Sequence, residues 1–262
     1  TAYDIRFCDW SSDVCSSDIH VSATCQRDFA DAWPSVTAPS CVVTNGLDFS
    51  AWTPAQERLP EILCVGRCAP EKGILEAAQA LVAVLPARPG WRARFILSAA
   101  DAHPAYFQRV REVLAGLGGQ AAIELQRPFD EIKSASECAA IALVPSKCRE
   151  SFGRTALEAQ AGGAALISSG QGGLAEVSGA AALYLSAVTP SDIADALARL
   201  IGSAELRARL AHDGAERVKA LFDIRTQAAR FDAFCRMIAY GRPQSPRRAS
   251  CAGHGWITAA RS

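Results

Sequence analysis

The sequence predicts an α/β protein built on a doubly wound, Rossmann-like parallel sheet. Three observations carry that prediction. From Glu61 onward, short apolar runs alternate with helical patterns, the signature of βα units and a parallel sheet. The runs, such as ILCVG and AAIALV, are apolar at nearly every position, as in strands covered by helices on both faces. Glycine-bearing, charged loops follow several of the runs, where such sheets bind ligands.

The strands expected are Ile62–Gly66, Arg94–Ser98, Ala122–Leu125, Ala139–Val144, Ala164–Ser168 and Ala181–Leu185. Between and after them, helical patterns run over Gly73–Leu85, where Pro86 stops the pattern, then His103–Leu117, Phe129–Glu137 and Gly153–Ala161. Ser191–Ile201, Ala204–Leu221 and Ile224–Tyr240 close the helical set. Ahead of Glu61 the pattern is thinner. Ile19–Trp33 offers one short strand and a helix capped by Ser22, and Cys41–Trp52 a second strand with an Asn45-Gly46 turn. After Tyr240 the chain is rich in Pro, Arg, Ser and Gly without periodicity, so 241–262 reads as a disordered tail.

The first eighteen residues, TAYDIRFCDWSSDVCSSD, fit neither a two-residue nor a 3.6-residue period and lack the basic and apolar regions of a signal peptide. They resemble translated sequencing adapter, so Thr1–Asp18 is expected to be a non-native tail that packs nowhere. The predicted division is 1–18 tail, 19–52 remnant of a preceding domain with its linker, 53–222 a ligand-binding domain, 223–240 a closing helix and 241–262 tail.

Composition excludes several function classes. The 262 residues carry 27 basic and 27 acidic groups, which gives no case for nucleic acid. No apolar run approaches the length of a membrane span. Half the residues are apolar, enough for a core. Ala- and Arg-rich helices with a single Met suggest a GC-rich bacterial genome. The ten cysteines are scattered; Cys64 and Cys68 form C-x3-C, but Cys64 lies inside an apolar run, and no Cys/His set has zinc spacing. Free thiols in a cytoplasmic protein are expected. His20, His103, His212 and His254 have no partner by spacing and read as surface residues.

Three stretches carry chemistry. Gly66-Arg67 and Pro70-Glu71-Lys72-Gly73 follow the first strand of the sheet. Strand, glycine loop and helix start together suit a phosphate, since helix N-terminal amides and dipole favour an anion. Arg67 and Lys72 add two cations, one able to bind bidentately and one a point charge. The plainer alternative is a βα loop with two solvated basic residues. Glu150-Ser151-Phe152-Gly153 follows Ala139–Val144, and Glu158 lies two turns along the next helix. Carboxylates beside helix-opening amides suit a polyol next to a phosphate; the alternative is two solvated acids. Gly170-Gln171-Gly172-Gly173-Leu174-Ala175-Glu176 matches G-x-G-x-x-A. That fingerprint belongs to a first βα unit, so Gly172 and Gly173 are instead expected to let backbone approach a ligand closely, or to form a plain turn.

Together VGRCAPEKG, PSKCRESFGRTALEA and GQGGLAE resemble the donor-binding half of family 4 glycosyltransferases, the retaining enzymes of GT-B fold. The resemblance runs over about Val42–Phe234, and its most specific element is the E-x7-E spacing of Glu150 and Glu158. It implies a C-terminal GT-B half whose N-terminal acceptor domain is mostly missing, with VTNGLD just before the interdomain linker. It implies that Arg67 and Lys72 hold the donor diphosphate and stabilise the leaving nucleotide. Glu150 would take sugar hydroxyls and Glu158 ribose hydroxyls, Ser151, Phe152 and Gly153 would line the donor, and Glu176 would sit near the sugar after Gly172-Gly173. No metal and no cofactor is implied; the nucleotide-sugar is a substrate. The acceptor would be a glycan or lipid-linked glycan of cell-envelope polysaccharide synthesis, and the location cytoplasmic or at the inner-membrane periphery. The truncated chain would not be active alone. A nucleotide-sugar 2-epimerase-like enzyme of the same fold and a non-enzymatic Rossmann-like nucleotide-binding module are the alternatives.

Overall fold

A computed structural model describes residues 18–240. The expectations for 1–17, for the 241–262 tail and for His254 lie outside these residues. Asp18 corrects the tail's boundary: it opens strand β1 (Asp18–His20), which pairs in parallel with β2 (Ser40–Val42). Between them α1 (Ala23–Ala32) starts at Ser22, whose side chain accepts from the Cys25 amide, as its capping residue type predicts.

The main sheet contains β3 (Leu59–Arg67), β4 (Arg92–Ser98), β5 (Ala121–Leu125), β6 (Ala139–Val144), β7 (Ala165–Ser168) and β8 (Leu183–Tyr184). The helices are α2 (Ile74–Val84), α3 (Pro104–Ala115), α4 (Phe129–Cys138), α5 (Arg154–Ala161), α6 (Gly173–Ser178), α7 (Pro190–Gly202), α8 (Ala204–Leu221) and α9 (Ile224–Tyr240). Every expected strand and helix is present. The main differences lie at the ends: β3 extends from Ile62 back to Leu59, the run Ala181–Leu185 shrinks to two residues at the sheet edge, and α6 is an added short helix.

The six strands are parallel, in the order β5-β4-β3-β6-β7-β8. Side chains alternate across them. Ile62, Cys64, Phe95, Leu97, Ile141 and Ile167 face one core layer with Leu81 of α2, Val110 of α3 and Leu197 of α7. Ala142, Val144 and Leu166 face the other, with Leu157 of α5, Val177 of α6 and Val218 of α8. Both faces of the sheet are therefore covered, which is why its strands show continuous rather than alternating hydrophobicity. The strand order reverses between β3 and β6, so the crevice outside the carboxyl ends of those two strands is the topological switch point.

Among the described residues all seven cysteines are free thiols. Burial pushes the Cys64 thiol up to about 12, which makes it a core side chain and not a reactive one. His103 and His212 are exposed as expected. His20 is not a surface residue: it is half-buried, its ring lies 5.3 Å from that of Phe29, and its Nε2 is buried.

Arg58, just before β3, ties the far end of this architecture together. Its guanidinium donates to the carbonyls of Ser136 (3.3 Å), Ala139 (3.1 Å) and Gly162 (2.6 Å), at the C-terminal ends of α4 and α5. A cation there meets the negative end of both helix dipoles. Arg58→Ala is expected to destabilise the fold by about 2–4 kcal/mol, since it strands several partly buried carbonyls. A stability loss from urea unfolding below about 0.5 kcal/mol would show that water replaces the guanidinium.

Candidate functional site

The cleft at the switch point is made by two loops that touch. Cys68–Gly73 leaves β3, and Pro145–Gly153 leaves β6. The Lys147 and Cys148 amides donate to the Glu71 carbonyl (2.8 and 3.3 Å). Gly73 makes the contact possible. Its φ is +68°, and a Cβ added there would lie 2.1 Å from the Pro145 carbonyl oxygen. Both the backbone conformation and the space thus require glycine.

The loops enclose a cavity of about 560 Å³, the size of a small-ligand site. Gly66, Arg67, Lys72, Glu150, Ser151, Phe152 and Gly153 line it. Sequence reasoning thus named seven residues that the fold brings together across 87 positions of chain (Gly66 to Gly153). Helices α2 and α5 both begin here, each from a left-handed glycine (Gly73, Gly153) that offers no capping side chain, and the Leu75 amide of α2 donates to the Tyr106 hydroxyl (2.9 Å). Their first-turn amides give the cleft a positive rim.

The charges are paired across the cleft. Lys72 forms an ion pair with Glu150, which also accepts from the Ser146 hydroxyl (2.5 Å). Arg67 pairs with Glu71 (3.0 Å). The Lys72–Glu150 pair is mostly buried, so its attraction is less screened than at an exposed site. Cations and amides can hold an anion here, while the Glu150 carboxylate and Ser146 can accept from or donate to hydroxyls.

Four expected site residues do not line this cavity. Glu158 does not line the cavity: it is buried on α5 and pairs with Arg154 (3.0 Å), which does line it. Gly172 and Gly173 approach protein backbone and not open space. An added Cβ would lie 2.4 Å from the Glu150 carbonyl oxygen at Gly172 and 2.6 Å from the Phe152 Cα at Gly173. Glu176 turns away from the cleft, and its carboxylate accepts from the Ala23 (2.9 Å) and Thr24 (2.5 Å) amides at the start of α1. Sequence reasoning missed Ser146, Arg154 and Gln126, which line the cavity. The first two stand inside or beside the ESFGRTALE stretch and could have been found there. Gln126 has a left-handed backbone (φ 50°), which sequence does not announce.

Glu158 carries a pH signature. Burial holds its carboxyl above the ordinary value of 4.5, only partly offset by Arg154. The native state therefore binds this proton more tightly than the unfolded state does. The associated stability is full below about 4.5 and is lost as pH rises through the raised native value. Glu158→Gln removes that dependence. Urea midpoints of the variant, relative to the parent, are expected to climb as pH rises above 4.5; a constant difference would mean that the carboxyl titrates normally. Gly73→Ala is expected to cost about 2 kcal/mol or more of stability, from strain at positive φ and the Pro145 clash, as read by thermal unfolding.

Comparison with known proteins agrees with this geometry. The family of glycosyl transferases group 1 matches residues 59–203. A D-inositol 3-phosphate glycosyltransferase of Corynebacterium glutamicum is 31% identical over 197 residues, which cover 68% of this chain and 47% of that protein. The protein of the same name from Corynebacterium efficiens is 30% identical, over 68% of this chain and 46% of its own length. The chain spans about half the length of these curated relatives. Among solved structures, the C-terminal domain of a group 1 glycosyl transferase, LpcC of Francisella tularensis, is 27% identical with a TM-score of 0.59, covering 68% of this chain and all of that one. Anabaena HepE in complex with UDP and glucose shares the fold at 18% identity and a TM-score of 0.73, over 84% of this chain and 63% of its own. The fold is that of GT-B glycosyltransferases, and the chain belongs to the glycosyl transferases group 1 family.

Proposed function

We propose that this chain is the donor-binding half of a retaining, family 4 glycosyltransferase that uses a nucleotide-sugar. The observation that carries the reading is the convergence of Arg67, Lys72 and Glu150 with two helix starts opened by glycine on one cleft at the switch point. A nucleoside diphosphate would place its anionic groups between Arg67, Lys72 and the α5 amides. In transfer, the bond from the anomeric carbon to the diphosphate would break with its electron pair going to the diphosphate, the acceptor hydroxyl oxygen would bond that carbon on the same face, and its proton would pass to the departing diphosphate oxygen. Fixed cations and amides stabilise charge where it develops and need no reorganisation at that moment. Glu150 would orient sugar hydroxyls. Glu158 would reach the ribose after giving up Arg154, which itself borders the cavity.

Ligand entry amounts to an exchange of partners. Glu71 and Glu150 now neutralise Arg67 and Lys72, and a diphosphate would take over part of both pairings. The acceptor is proposed to be a glycan or lipid-linked glycan. The relatives are named D-inositol 3-phosphate glycosyltransferases, and a polyhydroxy compound of that kind suits the proposed acceptor class. Transfer needs the acceptor held against the anomeric carbon, and positioning supplies several kcal/mol of the barrier. The chain assayed alone is proposed to bind donor weakly and to transfer no sugar.

Calorimetric titration with UDP, GDP and ADP tests the reading. At least one should bind, and Lys72→Ala should weaken it about tenfold or more, the worth of one charge-assisted hydrogen bond. Glu158→Ala should weaken it as well. Binding indifferent to both substitutions, or sugar transfer by this chain alone, would overturn the proposal.

A further inference from the structure

Glu176 belongs to α6, yet its hydrogen bonds go to a segment some 150 residues earlier. Its two carboxylate oxygens accept from the Ala23 amide (2.9 Å), the Thr24 amide (2.5 Å) and the Thr24 hydroxyl. Ser22 caps the next amide, that of Cys25 (3.0 Å). The three leading donors of α1 are thus satisfied by Glu176 and Ser22 together, whereas helix starts ordinarily rely on a local cap. Thr24 and Ser22 are buried in this junction.

The same junction reaches the cleft. The Ser22 hydroxyl donates to the Ser151 carbonyl (2.6 Å), and the Cys25 thiol points to the same oxygen (3.2 Å). Arg149 pairs with Asp28 of α1 (2.8 Å). On its other side this loop is bridged to the start of α6: the Glu150 amide donates to the Gln171 carbonyl (3.3 Å), and the Gly173 amide to the Glu150 carbonyl (2.7 Å). Three contacts close a ring: α6 with α1 through Glu176, α1 with the loop through Ser22, and the loop with α6 through Glu150 and Gly172. The Glu150 side chain leaves this ring toward Lys72.

We infer that Glu176 is a positioning residue, which holds α1 in place and through Ser22 fixes the backbone that carries Glu150 and Ser151. It touches no ligand. The inference rests on the proposed donor-binding role of the cleft for its functional consequence, but not for its structural one. Without Glu176 the Ala23 and Thr24 amides and the Thr24 hydroxyl lose their acceptor, α1 loosens, and the loop loses its α1 side while keeping its contacts to α6 and to the β3 loop.

Hydrogen exchange and calorimetry on the full chain test this. In Glu176→Ala, exchange should rise at residues 22–25 and 149–153, while β3 and β6 stay protected. Binding of whichever of UDP, GDP or ADP the parent takes should weaken roughly 3- to 30-fold, the range of coupling through a packed network. Glu176→Gln keeps a carbonyl acceptor and should fall between parent and Ala. Ser22→Ala acts on the same path, so the double variant should bind about as weakly as Glu176→Ala alone. If Glu176→Ala does not fold, Glu176→Gln and Ser22→Ala carry the same comparison. Unchanged exchange at 149–153, or losses that simply multiply, would overturn the inference. A parent chain that binds none of the three nucleotides would defeat the proposed function, and the exchange readout would still decide the positioning role.

Discussion

The contact between Gly73 and the Pro145 carbonyl is the constraint on which the site depends. A parallel sheet places the ends of β3 and β6 side by side, but it does not by itself bring their loops into contact. The missing Cβ does that, since any side chain would need the space of a backbone oxygen. Once the loops meet, Glu71 accepts two amides from the β6 loop, and Lys72 is carried to Glu150. The positive φ at Gly73 also turns the chain straight into α2, whose capping residue offers no side chain of its own. One residue type at one position therefore sets the loop contact, the orientation of a helix dipole and the placement of a cation.

The cleft is electrostatically self-satisfied. Two cations stand against two carboxylates, and the helix amides lie beside them. Such a site avoids a cluster of unpaired positive charge, which would repel itself in a partly dry cavity. The same pairing makes the cleft responsive to an anion with more oxygens than a carboxylate, because a diphosphate can accept from Arg67, Lys72 and amides at once. On the proposed reading, Glu150 would then turn toward neutral hydroxyls, for which a carboxylate is a strong acceptor.

How much of this was legible in the sequence depends on how local each feature is. The strand Ala139–Val144 and the helix Ala204–Leu221 were read with the same bounds the structure gives, because buried strands and long periodic helices announce themselves by composition and period. Arg67, Lys72 and Glu150 were legible because they follow strands, and parallel sheets gather such positions at one edge. The surroundings of Gly172, Gly173 and Glu176 are not legible for the opposite reason. Their spacing tells which residues open a short helix but not what lies across from it. What lies across is the Glu150–Phe152 backbone and the start of α1, partners about 20 and 150 residues away. His20 was misjudged similarly, since its neighbour Phe29 is brought near only when α1 folds back over β1.

The amino-terminal segment is fastened to the domain by polar contacts more than by apolar burial. Of α1, only Thr24 is buried, and its anchors are Glu176, Ser151 and Arg149. The linker is stitched in a comparable way: the Leu47 amide donates to Phe222 and the Leu47 carbonyl accepts from Ile224, joining the chain before the sheet to the start of α9. Hydrogen bonds are directional and modest in net worth, whereas apolar burial is neither. A segment held mainly by them keeps a defined orientation and can still be released at limited cost. The sheet and its two apolar layers set where the cleft is. The polar fastenings at α1 and at the linker set how firmly its outer loop is held.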